Sequence, residues 1–323
     1  MRIKGNSFLV VGGAGFIGSH VVDQLLHGGA ARVRVLDNLV RGTRANLASA
    51  LDDARCELMA APVDIRDRAS LATACSGMDG VFHLAALWLL ECLEDPRAAF
   101  DVNVTGTMNV AEAAIAAGVQ RLVFSSSASV YGDAQVEPMA ESHPLGCQEM
   151  YGATKVAGEM LLRALGNRNG SLSWVGLRYM NVYGARQDDR GAYVGVVTRM
   201  LRDLRAHGEA TVHGDGSQCY DFVDVRDCAR ANVLAMESSV TGGCYNVGTG
   251  VKTSIRDLAG MLTAVAGGVG RVHFDGAAER PFVRNRVGDP RRAEEELGFV
   301  ASITLERGLE ELVRGAALAG PTP

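Results

Sequence analysis

Over the first half of the chain, short apolar runs alternate with longer stretches of mixed polarity. The runs predict strands over 8–12, 32–36, 56–60, 80–84, 121–125 and 172–178, and the stretches between them predict helices over 15–28, 66–75, 97–117 and 149–166. Such alternation builds βαβ units around a mostly parallel sheet, with ligand-binding loops beyond the strand C-termini. After about residue 180 the rhythm loosens into a polar loop (181–191), a helix (192–206), a turn at His213 to Gly216, and a strand at Asp221 to Val225. A helix (226–238), a strand at Gly243 to Val247 and two helices (253–266 and 304–314) complete the reading. The expected organisation is a main domain over 1–180 to which 221–249 return, and a smaller α/β lobe from 181–220 and 250–323.

The first predicted strand runs into Gly12-Gly-Ala-Gly15-Phe-Ile-Gly18. Glycines at 12, 15 and 18 suit a tight turn, close backbone approach to a pyrophosphate, and helix–strand packing. Free amides at the helix N-terminus hold the anion. The second predicted strand ends in Asp37, about 20 residues beyond the glycines, where a carboxylate bonds both hydroxyls of an adenosine ribose and repels a 2′-phosphate. The cofactor expected is NAD rather than NADP, bound on a Rossmann-like doubly wound sheet.

Other candidates fall at the same edge. Asp64-Ile65 offers a carboxylate for the adenine amino group and an apolar side chain for its ring, with a surface turn as the alternative. Leu84-Ala85-Ala86 offers small side chains where a cofactor passes, and Asn103 places an amide in an apolar helical segment, where it needs partners. Tyr151-Gly-Ala-Thr-Lys155 puts a phenol and an ammonium one helical turn apart, a spacing expected to favour the phenolate, and Ser125-Ser-Ser127 supplies a hydroxyl partner one loop upstream. His20 and His83 read as structural, and no G-x-S-x-G elbow occurs.

Composition narrows the classes. The chain has 323 residues, is 47% hydrophobic and carries a net charge of −5 without a basic stripe, so neither nucleic acid nor an anionic membrane is an expected partner. Lysine occurs only at 4, 155 and 252, so one of three lies in the proposed active helix. Seven widely spaced cysteines form no metal-ligand pattern, and no metal is expected. The opening residues pass directly into a strand pattern, and the expected compartment is a reducing cytoplasm.

Taken together, these blocks resemble the extended short-chain dehydrogenase/reductase family, specifically its NAD-dependent nucleotide-sugar epimerases and dehydratases. The resemblance also rests on Asp37-Asn38-Leu39, Asn103-Val-Thr-Gly-Thr107, Ser125 to Gly132, Tyr151 to Glu159, Arg178-Tyr179-Met-Asn181 to Gly184, Gly214-Asp-Gly216, Tyr220 to Val223 and Tyr245 to Gly248. It implies Tyr151, Ser127 and Lys155 as catalytic residues. It implies NAD contacts from Gly12, Gly15, Phe16, Ile17, Gly18, Asp37, Asn38, Asp64, Ile65, Leu84, Ala85, Ala86, Asn103, Ser125, Tyr151, Lys155 and Tyr179. Substrate contacts are implied for Ser127, Tyr151, Asn181, His213, Tyr220 and Arg280, and the implied assembly is a homodimer.

In similar dehydratases and decarboxylases acids follow the serine or threonine at position 127; here Ala128-Ser129 stand there. The implied activity is therefore C4 epimerisation of a nucleoside-diphosphate sugar, a UDP-hexose or UDP-uronic acid, through a 4-keto intermediate. A nucleotide-sugar dehydrogenase or ketoreductase with net redox turnover is the alternative enzyme, and an NAD-binding scaffold the non-catalytic one. Two departures bear on the substrate. Tyr220 stands where similar epimerases carry a phosphate-binding arginine; the resemblance leaves Arg280, Arg284 or Arg286 to cover the diphosphate charge instead, with Arg280 the best match to the C-terminal phosphate arginine. Trp88, in Leu87 to Cys92, suits a narrowed sugar pocket, helix core or a dimer contact.

Overall fold

The computed structural model describes residues 1–60, 62–168, 172–188, 195–268, 270–276 and 283–315 in full, and the backbone of 169 and 316–318. The apolar runs become β1 (Ser7–Val11), β2 (Arg32–Leu36), β3 (Cys56–Leu58), β4 (Gly80–His83), β5 (Arg121–Ser127) and β6 (Ser173–Tyr179). Another strand, β7 (Asn181–Tyr183), follows at once. The smaller strands are β8 (Glu209–Val212), β9 (Cys219–Tyr220) and β10 (Phe222–Asp224), then β11 (Gly242–Val247), β12 (Thr253–Ser254), β13 (Arg271–Phe274) and β14 (Asn285–Arg286).

Among the described residues the main sheet is parallel throughout, in the order β3-β2-β1-β4-β5-β6-β11. The order reverses at β1, so crossovers on either side of it leave opposite faces and open a crevice beyond its C-terminus. Gly12, Asp37, Leu84, Ser127 and Tyr179 all stand at that edge. Both faces are covered. One apolar cluster includes Phe8, Val10, Val21, Leu25 and Tyr245, and a second includes Leu9, Val81, Leu122, Phe124 and Leu162. Alternate residues of β1 thus enter opposite layers, as the two-residue strand period requires.

A third cluster joins Tyr183, Val197, Met200, Leu204, Phe222, Leu258, Leu262 and Leu309. Around it lie the parallel pair β8–β13 and the three-stranded β12-β9-β14. Within 221–249, β11 enters the main sheet, whereas β10 pairs with β7 outside it.

Two elements differ from expectation. The 97–117 segment is not one α-helix: Pro96–Ala99 and Thr107–Ala116 are α-helical, and Phe100–Gly106 between them is a π-helix. Thr107 Oγ1 donates to the Asn103 carbonyl at 2.6 Å, while the Asn103 side chain is drawn away to Leu87, so tertiary bonding overrides the regular period. The serines expected in a loop lie inside β5, and the chain turns only at the 3₁₀ turn Ala128–Tyr131. Ser127 Oγ caps that turn by accepting Ser129 N–H at 3.1 Å.

Candidate active site

The glycine loop is built by steric exclusion. Gly12 has φ +83°, which a side chain resists, and a Cβ there would lie 2.6 Å from the Ala85 amide nitrogen. A Cβ at Gly18 would overlap the Gly12 carbonyl oxygen. The helix Phe16–His27 has no side-chain N-cap, which leaves its first amide groups free for an anion. Gly18→Ala is therefore expected to cost about 1–3 kcal/mol of stability and more than ~10-fold in NAD affinity. Thermal unfolding and calorimetric titration with NAD check this; unchanged affinity would refute the close-packing role.

Asp37 is 7% exposed. Its Oδ2 accepts the Ala14 N–H at 2.9 Å and its Oδ1 the Leu39 N–H at 2.8 Å. Burial raises its pKa and these two amides oppose the rise. Each oxygen keeps a lone pair for a hydroxyl. Asp64 is held otherwise than expected: Arg66 grips both its oxygens, at 2.9 and 2.8 Å, and holds its carboxyl below the usual range.

These residues line a cavity of about 920 Å³. Its wall contains Gly12, Gly15, Phe16, Ile17, Gly18, Asp37, Asn38, Asp64, Ile65, Leu84, Ala85, Ala86, Ser125, Tyr151, Lys155 and Tyr179, drawn together from five strand ends. Asn103 is placed behind the wall. It is 3% exposed, accepts Leu87 N–H at 2.7 Å and donates to Leu87 carbonyl and Thr154 Oγ1, each at 3.1 Å, so it holds a wall residue and does not itself face the cavity.

Sequence reasoning missed the mouth of this cavity. The Arg41 guanidinium lies 4.9 Å from the Trp88 ring centroid, 3.3 Å from Asp188 and 3.9 Å from Glu91, and all four residues line the wall. Trp88 thus belongs to the cofactor-side cavity. Its aromatic body in an otherwise departing loop was the one signal available.

Tyr151 also lines the cavity, on the helix Met150–Asn169, and the Ser127 hydroxyl acts to lower the pKa of its phenol. Lys155 follows one turn later, 4% exposed, but its Nζ donates to the Ser125 carbonyl at 2.8 Å and stands 5.5 Å from the Tyr151 ring centroid. Burial pushes the phenol well above its ordinary value, and burial draws the lysine down to about 8. The low-pKa phenol expected from spacing is therefore not a property of the protein groups alone. The ammonium answers a backbone carbonyl, and desolvation outweighs its attraction.

The two sequence-flagged histidines take structural positions. His83 Nε2 pairs with Thr107 Oγ1 at 2.9 Å and burial lowers its pKa to about 3; His20 Nε2 pairs with the Ala185 carbonyl at 3.0 Å.

The expected substrate contacts are more scattered. Asn181 begins β7, its N–H bonded to the Asp221 carbonyl at 2.9 Å. Tyr220 donates to the Val283 carbonyl at 2.8 Å. His213 lies after β8, paired with Asp275 at 2.7 Å and away from the cavity lining. Arg280 lies outside the described residues. Arg286, one of the three arginines considered for the diphosphate charge, lies on β14 beside Tyr220, and its Nη1 reaches Ser129 Oγ at 3.4 Å.

Residues 8–248 match the model of the NAD dependent epimerase/dehydratase family. The chain is 39% identical over 315 residues to the UDP-glucose 4-epimerase of Mycolicibacterium smegmatis, covering 94% of this chain and 96% of that one. Among solved structures it is similar to a UDP-N-acetylglucosamine 4-epimerase from Methanobrevibacter ruminantium in complex with UDP-N-acetylmuramic acid. That likeness has a TM-score of 0.91, 29% identity, and coverage of 98% and 99% of the two chains. A UDP-glucose 4-epimerase from Thermotoga maritima with UDP-glucose matches with a TM-score of 0.87, 34% identity, and 97% and 99% coverage.

Proposed function

This chain belongs to the NAD dependent epimerase/dehydratase family, and from that premise we infer that it is an NAD-dependent 4-epimerase of UDP-sugars. The observation that carries the reading is the Tyr151 phenol at the wall of a cavity formed by the glycine loop and Asp37.

The donor set fits a dinucleotide. Uncapped amides and the glycine cradle suit a pyrophosphate, and the Asp37 oxygens suit the adenosine ribose. NAD held by these residues would supply the hydride acceptor and donor for C4 and would add positive charge to the cavity that Tyr151 lines. Tyr151 takes the O4 proton and gives it back. Ser127 steadies the oxygen that loses and regains it, and Lys155 presents a desolvated cation to the nicotinamide ribose. Asn181 and Arg280 contact the sugar nucleotide. Ala128 and Ser129 provide no acid for elimination, which leaves oxidation and re-reduction as the complete cycle.

Asp37 sets cofactor choice. NADP is expected to bind about 100-fold or more weakly than NAD, because a 2′-phosphate would face a buried carboxylate. Asp37→Ala should bring the two within about tenfold. Equal affinities in the wild type, measured by fluorescence titration, would remove the argument.

The main domain 1–180 binds the cofactor, and 181–220 with 250–323 close over the sugar. Exposed Leu93, Phe100 and Met160, at 55%, 46% and 44%, support pairing of two copies through the Tyr151 helix and the π-helical segment. No helix among the described residues is long and apolar enough to cross a membrane, and all seven cysteines are free, which supports a cytoplasmic site.

The function test is incubation of purified protein with UDP-glucose and with UDP-glucuronic acid, followed by proton NMR. The C4 epimer should form without net NADH, and deuterium placed at C4 should be retained in the product. Stoichiometric NADH release with a stable keto sugar would overturn the reading in favour of net oxidoreduction.

A further inference from the structure

Three loops reach the mouth of the cavity from separate strands and are tied together there. Arg41 lies in the loop after β2, Trp88 and Glu91 follow β4, and Asp188 follows β7. The Arg41 guanidinium stands 4.9 Å from the Trp88 ring centroid, with the Asp188 and Glu91 carboxylates at 3.3 and 3.9 Å. Glu91 is itself held, because its Oε2 accepts the Trp88 N–H at 2.8 Å. The guanidinium charge is thus answered by groups of the protein, on three different loops, at the opening of a cavity that all four side chains line.

Each loop is anchored just outside this contact. The Thr43 N–H and the Asn46 side chain both donate to the Ala14 carbonyl, at 3.0 and 2.9 Å, which pins the Arg41 loop to the glycine loop. Arg186 pairs with Asp23 at 2.8 Å, and Thr198 Oγ1 donates to Gln187 Oε1 at 2.7 Å, so the Asp188 loop is pinned to the helices Phe16–His27 and Val196–His207. Between the anchors the backbone is strained. Among the described residues only two besides glycine have positive φ: Leu39 at 58° and Arg186 at 66°. They stand two positions before Arg41 and two before Asp188, the two ends of one ion pair. A left-handed side-chain-bearing residue persists only where its surroundings hold it, and such residues cluster at clamps and switches.

We propose that Arg41, Trp88 and Asp188 form a clasp that must part for NAD to enter or leave, and that sets the rate of cofactor exchange rather than the strength of binding. The inference rests on this cavity being the NAD site and is independent of which sugar is bound. The Arg41 and Asp188 side chains are 34% and 17% exposed, so the clasp is weak enough to open. One cation–π contact and one partly exposed ion pair together correspond to about a tenfold shift between open and closed. A clasp that closes equally over the empty and the filled cavity slows association and dissociation by the same factor and leaves affinity unchanged.

The experiment is stopped-flow fluorescence with NADH, following its association with the apoprotein and its displacement by excess NAD. Arg41→Met and Asp188→Asn should each raise both rate constants about 5- to 20-fold while Kd changes less than about threefold. The double variant should add less than about twofold to either, because both substitutions open the same contact. In the wild type, raising NaCl from about 0.05 to about 1 M should speed both steps by screening the ion pair, a comparison that needs no substitution. Faster dissociation alone, with an equal loss of affinity, would make Arg41 a direct cofactor ligand and overturn the proposal. Unchanged rates in both variants would overturn it too, and would leave the cofactor site standing. A wild type that fails to bind NADH would instead remove the cofactor site, and the clasp with it.

Discussion

Tyr151→Phe is expected to lower kcat for C4 inversion by about 10³-fold, within the 10²–10⁴ typical of a lost general acid–base group. The substitution removes one oxygen and keeps the ring, over which the Lys155 ammonium stands at 5.5 Å. Little packing is lost with a single hydroxyl. The melting temperature should move by no more than about 3 °C, and NAD affinity by less than about threefold. Rate, melting and cofactor titration on one preparation separate a proton carrier from a structural tyrosine. A variant retaining more than a tenth of wild-type kcat would exclude Tyr151 as the proton carrier. Because burial holds the free phenol above its ordinary value, the charge that arrives with NAD should matter: the phenol should titrate at lower pH in the NAD-loaded protein than in the apoprotein. Ultraviolet difference titration of wild type against Tyr151→Phe reads this directly.

The second large effect is on stability. Glu159 is fully buried on the Tyr151 helix, and Arg178 on β6 is 5% exposed. Arg178 Nη2 and Nε donate to the two Glu159 oxygens at 2.7 and 2.9 Å, and Ser126 Oγ adds a bond at 2.6 Å. Arg178 Nη1 then reaches Tyr131 Oη at 2.8 Å, which donates to Asn246 Oδ1 at 2.7 Å. This network ties the helix to β5, β6 and β11 behind the catalytic tyrosine. Glu159→Ala leaves a buried guanidinium without its carboxylate and should cost about 3–5 kcal/mol, or a fall near 10 °C in melting temperature. Glu159→Leu with Arg178→Met should recover part of that loss, since no charge is then stranded. A loss below about 1 kcal/mol in Glu159→Ala, measured by denaturant unfolding, would contradict the account.

Much of the site was legible before the fold was known, for identifiable reasons. The glycines at 12, 15 and 18 and the acid at 37 stand next to predicted strand ends, and a parallel sheet gathers strand ends at one edge. Tyr151 and Lys155 are one turn apart, so their shared face follows from helix geometry. Asn103 marked the right region but for a different task, because its amide turned to Leu87 and Thr154. Arg286 was one of three candidate arginines, but nothing local marked its partner Ser129, 157 residues away. Arg41 likewise meets Trp88 and Asp188 only after three loops converge.

The sequence by itself determined what depends on a few consecutive residues: the strand and helix periods, the glycine turn, and the face shared by Tyr151 and Lys155. Tertiary structure decided what depends on burial and on segments far apart in the chain. It assigned the Lys155 ammonium to the Ser125 carbonyl, raised the phenol by desolvation, widened the Asn103 helix, and buried Arg286 Nε without a hydrogen-bond partner among the described residues. The physical reason is range: backbone geometry is set locally, whereas the energy of a charge is set by everything packed around it.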